Sequence, residues 1–369
     1  MNPRSGVTLF LCGDVMTGRG MDQILPHSCP PRLYEPCVRS ALEYVALAEE
    51  ANGPIPRPAD YGYVWGNAAE RLEREQPDVR IVNLETSITT SEDAARKSIH
   101  YRMHPANVAV LTAARIDCCV LANNHVLDWG RGGLLETLDS LECAGIRVAG
   151  AGEDENAASA PAILGVGEDH RVLVFALGAR DSGIPRSWAA YTAEPGVQLL
   201  SDFSDETLER IARTVQSTKR GGDVAVASVH WGPNWGFEID PVHRRFAHGL
   251  IDRAQIDVVH GHSSHHPKAM ELHRGRLVLY GCGDFLTDYE GIQGYEEFRG
   301  DLAVMYLLSF DARSASLTQL SLIPFQLRNF RLTQPSSADV RWLWDVLDRE
   351  CRRFGHRIML QDDRLVLEL

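Results

Sequence analysis

Asp117-Cys118-Cys119-Val120-Leu121-Ala122-Asn123-Asn124-His125-Val126-Leu127-Asp128-Trp129-Gly130 joins a strand-length apolar run to a cluster of amide, imidazole and carboxylate side chains. The same design occurs where Val7 to Cys12 runs into Gly13-Asp14-Val15-Met16, and where Val79 to Asn83 runs into Leu84-Glu85. Further short β runs are expected at Ile146 to Ala149, Val172 to Leu177, Val224 to His230, Ile256 to His260 and Leu277 to Tyr280. Between them lie helical patterns: Leu134, Leu138 and Leu141 share one face, as do Leu208, Ile211 and Val215. Strands alternating with helices predict an α/β layered domain. In open α/β sheets the ligand sits beyond the carboxyl ends of the strands, which is where these polar clusters fall.

The chain of 369 residues is long enough to bury a core without disulfides, and it reads as one domain, 1–369. After Asp301, strand-like runs at Leu302 to Phe310 and Leu317 to Leu322 and a helix from about Ala338 to Phe354 complete that domain over 301–369. Two segments interrupt the rhythm and are candidate lids. One is proline-rich, 26–65, around an expected helix at Arg39 to Ala51; the other is 181–200, with Trp188 and Tyr191 among glycine and proline. A net charge of −13 repels phosphate backbones and anionic lipid, so no nucleic-acid and no membrane partner is expected. No apolar run approaches the ~20 residues of a membrane span. The N-terminus Met1-Asn2-Pro3-Arg4-Ser5-Gly6 enters the first strand with no room for a signal peptide, which reads as a cytoplasmic protein. Eight cysteines without a Cys-x-x-Cys pair read as buried reduced thiols.

In chain order the strand-end clusters supply Asp14, Glu85, Asn124, His125, His230, His262 and His265. Carboxylate, amide and imidazole donors together suit Mn²⁺, Fe²⁺ or Zn²⁺. Gly13-Asp14-Val15-Met16, Asn83-Leu84-Glu85, Asn123-Asn124-His125-x-x-Asp128-x-Gly130, His230-Trp231-Gly232 and Gly261-His262-x-x-His265 resemble the poly-γ-glutamate capsule (CapA) family of the calcineurin-like metallophosphoesterase superfamily. The similarity covers roughly Val7 to Tyr289. It implies a four-layer α/β/β/α sandwich with a metal centre at one edge. By the same resemblance Asp14 and His265 belong to one metal position, and Asn124, His230 and His262 to the other. Glu85 stands for the superfamily's bridging aspartate and His125 for its proton-donating histidine. The superfamily's opening Asp-x-His reads Asp14-Val15-Met16 here, and a thioether is a poor ligand for a hard divalent ion. One tightly bound ion, in the second position, is therefore expected. The family's usual Gly-Asn-Phe reads Gly283-Asp284-Phe285.

Three functions compete. The leading one is a peptide epimerase of natural-product biosynthesis. In it an ion acidifies a peptide Cα–H, and Asp14 and His265, free of a first metal, exchange the proton on opposite faces. The alternative is a metal-dependent phosphoester or amide hydrolase related to poly-γ-glutamate capsule synthesis, with His125 protonating the leaving group. The third is a non-enzymatic protein with a relict site. The first two expect a peptide or small-molecule substrate.

Overall fold

A computed structural model describes residues 6–36 and 38–369; the Met1–Ser5 run and Cys37 lie outside the described residues. Two mixed sheets stack face to face. The first runs in the order Ile358–Gln361, Arg364–Leu367, Leu317–Arg328, Leu302–Asp311, Gly6–Val15, Val79–Leu84, Cys118–Val120, Arg147–Ala149. Its last four strands are parallel, while Leu302–Asp311 pairs antiparallel with Gly6–Val15. The second sheet sets His170–Gly178, Val224–His230, Val258–His262 and Arg276–Leu279 in parallel. Antiparallel edges, Ala162–Val166 and Met270–His273, close it on either side.

Strand alternation explains the layers, because successive side chains point to opposite faces. Leu9, Leu11, Ile81 and Val120 pack against Val174, Val226, Val258 and Leu277 between the sheets. The intervening Phe10, Val82 and Cys119 face outward onto Val45, Ala48, Trp65, Leu72, Leu134 and Leu141. On the far side Leu173, Phe175 and Ala225 meet Leu208, Ile211, Val215, Phe246 and Leu250. The result is the expected α/β/β/α sandwich. The Ser337–Arg352 helix, opened by a Ser336–Asp339 capping box, inserts Leu343, Leu347 and Cys351 into the inter-sheet core.

Segment 26–65 holds the helix Ala41–Asn52, and its Leu33, Tyr44, Val45, Ala48 and Trp65 are buried in the outer core over the first sheet. In 181–200, Trp188 is buried and the Lys97 ammonium lies 5.3 Å from its ring centre. Among the described residues, the five-residue helices Ala109–Ala113 and Glu155–Ser159 and two longer ones have no counterpart in the sequence reading. Gly66–Glu75 buries only Ala68, Arg71 and Leu72, so its two faces are marked by where its charged residues fall rather than by a repeat of large apolar ones. Pro241–Asp252 is announced by Asp240 capping the Val242 N–H and by proline at its first position. The seven described cysteines are free; Cys143 departs from expectation in being exposed, because it closes a surface helix. No helix among the described residues is long and apolar enough to cross a membrane.

Candidate metal centre

Five of the predicted groups stand at or just beyond the carboxyl ends of parallel strands, and the stacking of the sheets brings them to one edge. Asp14 is near the end of Gly6–Val15, Glu85 follows Val79–Leu84, and Asn124 follows Cys118–Val120. His230 and His262 are cross-strand partners that end Val224–His230 and Val258–His262. Ser263 then adopts φ 97°, a left-handed conformation unusual for serine, and the turn carries His265 back to the same edge. Gly13 admits no side chain, since a Cβ there would sit 1.7 Å from the Gly283 carbonyl oxygen. That close approach lets Gly6–Val15 pair in parallel with Asp284–Leu286, with Asp14 directly opposite Asp284.

Two constellations of donors share Asp14. One is Asp14, His230 and His262; the other is Asp14, His265 and Asp284, and within each the donor atoms lie within 4.8 Å of one another. The Nδ1 atoms of His230 and His262 are 2.8 Å apart, and His262 Nδ1 is 3.9 Å from Asp14 Oδ1. Imidazoles bound to one ion at ~2.1 Å and roughly right angles stand about 3 Å apart, so this spacing fits shared coordination. Asn124 Oδ1 lies 3.1 Å from His230 Nε2, and Glu85 Oε1 is 4.0 Å from the same nitrogen. In the other constellation His265 Nδ1 is 2.9 Å from Asp284 Oδ1, and its Nε2 is 2.9 Å from Asn234.

The charge balance asks for cations. Asp14 Oδ2 and Glu85 Oε2 are buried with no hydrogen-bond partner, although buried carboxylate oxygens are normally satisfied. Burial and the neighbouring Asp284 carboxylate raise Asp14 from 3.8 to about 7. Burial and Asp14 push Glu85 well above the usual carboxylate range. Burial likewise holds His230 and His262 far below the ordinary imidazole value, leaving neutral nitrogens with lone pairs to give. Against its burial, the Asp284 carboxylate raises His265. Orphaned oxygens beside neutral imidazoles fit divalent ions.

Next to these groups His125 points Nε2 at Glu85 Oε1, 3.8 Å away, while Nδ1 lies 2.7 Å from Asp128 Oδ2. Asp128 also accepts from Lys97 Nζ at 2.7 Å and from the Tyr101 N–H at 2.7 Å. His125 and Lys97 outweigh burial and keep Asp128 below the ordinary carboxylate value, hence ionised. Burial lowers His125 to about 4. A cleft of ≈ 190 Å³ opens onto Glu85, Lys97, Asn124, His125, His265 and Tyr289. The larger groove, ≈ 640 Å³ beside Arg71, Arg74 and Arg341, shares no lining residue with it. Asp284, Lys97 and Asp128 carry no role in the sequence reading. Asp284 did leave a signal there, as the departure from Gly-Asn-Phe.

Residues 8–289 match the family described as "Bacterial capsule synthesis protein PGA_cap". The probable polyglutamine synthesis accessory protein of Mycobacterium tuberculosis is 48% identical over 362 residues, covering 98% of this chain and 95% of that protein. The capsule biosynthesis protein CapA of Bacillus anthracis is 25% identical over 364 residues, covering 98% of this chain and 78% of that one. A solved structure of a Mycoplasma pneumoniae phosphatase aligns over 92% of this chain and 96% of its own, with 10% identity and a TM-score of 0.43.

Proposed function

We propose that this chain, which belongs to the PGA_cap family of bacterial capsule synthesis proteins, is a metal-dependent hydrolase acting on a phosphoester or amide bond in the synthesis of a glutamate- or glutamine-type polymer. The observation that carries the reading is Asp284. Beside Asp14 and His265 it gives the first position three protein donors despite Met16, so two neighbouring ions have ligands, with Asp14 common to both constellations. Such ions, when bound, supply positive charge to the developing oxyanion and lower the pKa of water.

The chain's own residues supply the proton handling. Asp128, kept ionised by His125 and Lys97, accepts the Nδ1–H of His125, and the Tyr101 ring packs T-shaped with the imidazole, ring centres 4.4 Å apart. His125 Nε2 is thereby left with its lone pair facing the cleft. It accepts a proton from the attacking water and returns it to the leaving atom, the general base and general acid of one cycle. The role differs from the simple proton donor that the resemblance implies, because the buried free imidazole is neutral at pH 7.

Proton transfer at a peptide α-carbon is the second reading. It needs Asp14 and His265 free of metal, and Asp284, 2.9 Å from His265, weakens that premise. One experiment separates the two. Metal-loaded protein is incubated with p-nitrophenyl phosphates, with γ- and α-linked glutamyl peptides, and with the same peptides in D₂O. Metal-dependent release of phosphate or amine is expected. Deuterium uptake at an α-carbon without bond cleavage overturns the hydrolase and restores the epimerase.

A further inference from the structure

Val258–His262 is an apolar strand with a histidine, His260, in its interior, and that side chain lies outside both constellations. It is fully buried, as is Ser228, its cross-strand partner on Val224–His230. Their polar atoms form a chain that joins the two sheets. His260 Nε2 is 2.8 Å from the Cys12 carbonyl oxygen, His260 Nδ1 is 3.0 Å from Ser228 Oγ, and Ser228 Oγ is 2.8 Å from His262 Nε2.

Donor and acceptor rules give this chain one direction. A carbonyl oxygen only accepts, so His260 Nε2 carries the proton. Among the described residues the hydrogen-bond partners of the His260 ring are the Cys12 carbonyl and the Ser228 hydroxyl, neither of them a charge that would hold a second proton on the ring, so its Nδ1 is an acceptor. Among the described residues Ser228 Oγ is the hydrogen-bond partner of that nitrogen, and the serine's single proton goes there. Ser228 is then left with lone pairs, and His262 Nε2 must be the N–H that donates to them. The remaining His262 nitrogen, Nδ1, is the one aimed at Asp14 and His230, and it has no proton; Asn124 Oδ1 likewise holds the His230 proton at Nε2, so the two Nδ1 lone pairs converge at 2.8 Å, a spacing that calls for a cation beside them.

We infer that His260 and Ser228 are positioning residues that hold His262 in the Nε2–H tautomer, with its Nδ1 lone pair directed at the metal centre before any ion arrives. The Cys12 carbonyl that anchors the relay is two residues ahead of Asp14 on the same strand. The relay therefore also ties the strand carrying Asp14 to the strand carrying His262, fixing the spacing of two ligands from opposite sheets. Hydrogen-bond partners of this kind, when removed, typically cost 10- to 100-fold in metal affinity.

The inference rests on the metal-holding reading of the site and is independent of the reaction. Its first test is the chelator-treated full chain labelled with ¹⁵N-histidine. Long-range ¹H–¹⁵N spectra, assigned with His260→Gln and His262→Gln, should show both rings as Nε2–H tautomers; a His262 ring protonated at Nδ1 overturns the proposal. The second is Mn²⁺ and Zn²⁺ affinity by competition with a chelator. Ser228→Ala should bind 10- to 100-fold more weakly, and Ser228→Thr, which keeps the hydroxyl, should recover most of the loss. Wild-type affinity in Ser228→Ala also overturns it. Should Ser228→Ala fail to fold, the spectrum of the unsubstituted protein decides alone. A protein that hydrolyses nothing but shows the tautomer and the affinity loss removes the hydrolase and leaves the relay.

Discussion

Asp14 is a place where the metal-free protein carries strain, and Asp14→Asn should expose it. Burial and Asp284 raise the Asp14 carboxyl from 3.8 to about 7. A raised folded-state pKa means that stability is fully present below the unfolded value and is lost as pH rises through the folded one. The difference of about 3 units, at 1.36 kcal/mol per unit, sets a ceiling of ~4 kcal/mol by pH 8. Relaxation and water entry reduce this to about 2 to 4 kcal/mol. Asparagine is nearly isosteric and keeps an oxygen for the Asn83 amide that now donates to Asp14 Oδ1 at 2.7 Å. It also removes the charge that raises Glu85, an effect of the same sign. With about 2.1 cal/mol/K of unfolding entropy per residue, 369 residues give about 0.8 kcal/mol/K, so chelator-treated Asp14→Asn should melt ~3 to 5 °C above the unsubstituted protein at pH 8. The gap should shrink to well under ~1 kcal/mol as pH falls to 4, where folded Asp14 is protonated and unfolded Asp14 is about half protonated. Saturating divalent ion should invert the order, because 1,000-fold excess over Kd adds about 4.1 kcal/mol to the protein that binds it. Differential scanning fluorimetry over pH 4 to 8, with and without Mn²⁺, reads all three results. A variant less stable than the parent at every pH, or a gap that does not vary with pH, refutes the charge argument.

Further outcomes follow from the same geometry. Asp284→Asn should reduce bound ions from two to one per chain by elemental analysis, whereas His230→Ala should spare the ion held by Asp14, His265 and Asp284; two stoichiometric ions in Asp284→Asn would remove Asp284 from the ligand set. His125→Ala and Asp128→Asn should each lower turnover by ~10² to 10⁴ with metal content unchanged, and loss of metal from either would make the pair structural. Arg19, which forks onto Asp288 at 2.6 and 2.8 Å and reaches Glu35 at 2.9 Å in the interior, is a stability site. Arg19→Met should cost about 3 to 5 kcal/mol in urea unfolding by stranding Asp288, without altering metal stoichiometry.

The central parallel strands of both sheets were legible because each is an apolar run bounded by turn chemistry, and a buried parallel strand has no other pattern to show. Val224–His230 is such a case, and its predicted bounds match those observed, whereas antiparallel strands such as Ala162–Val166, Met270–His273 and Arg364–Leu367 were not read. Helices with few large apolar residues, such as Gly66–Glu75, were missed because their faces are marked by charge rather than by an apolar repeat. The ligands were legible where strand and ligand are contiguous, as in Val258 to His262, since a strand end announces which way its last side chain faces. Asp284 was not. It belongs to a three-residue strand whose place depends on Gly13 and Gly283 touching across 270 residues, a contact that no local pattern encodes. His260 was hidden for a different reason, since an imidazole inside an apolar run is as consistent with a satisfied core histidine as with a site. Only the directions of its two hydrogen bonds, one to a carbonyl that cannot donate, separate those possibilities. The two departures at Met16 and Asp284 look unrelated in sequence, yet they concern one metal position. Glycine contact places a carboxylate opposite Asp14 at the strand pair Asp14↔Asp284, so the loss of an imidazole donor at 16 does not require the loss of the position.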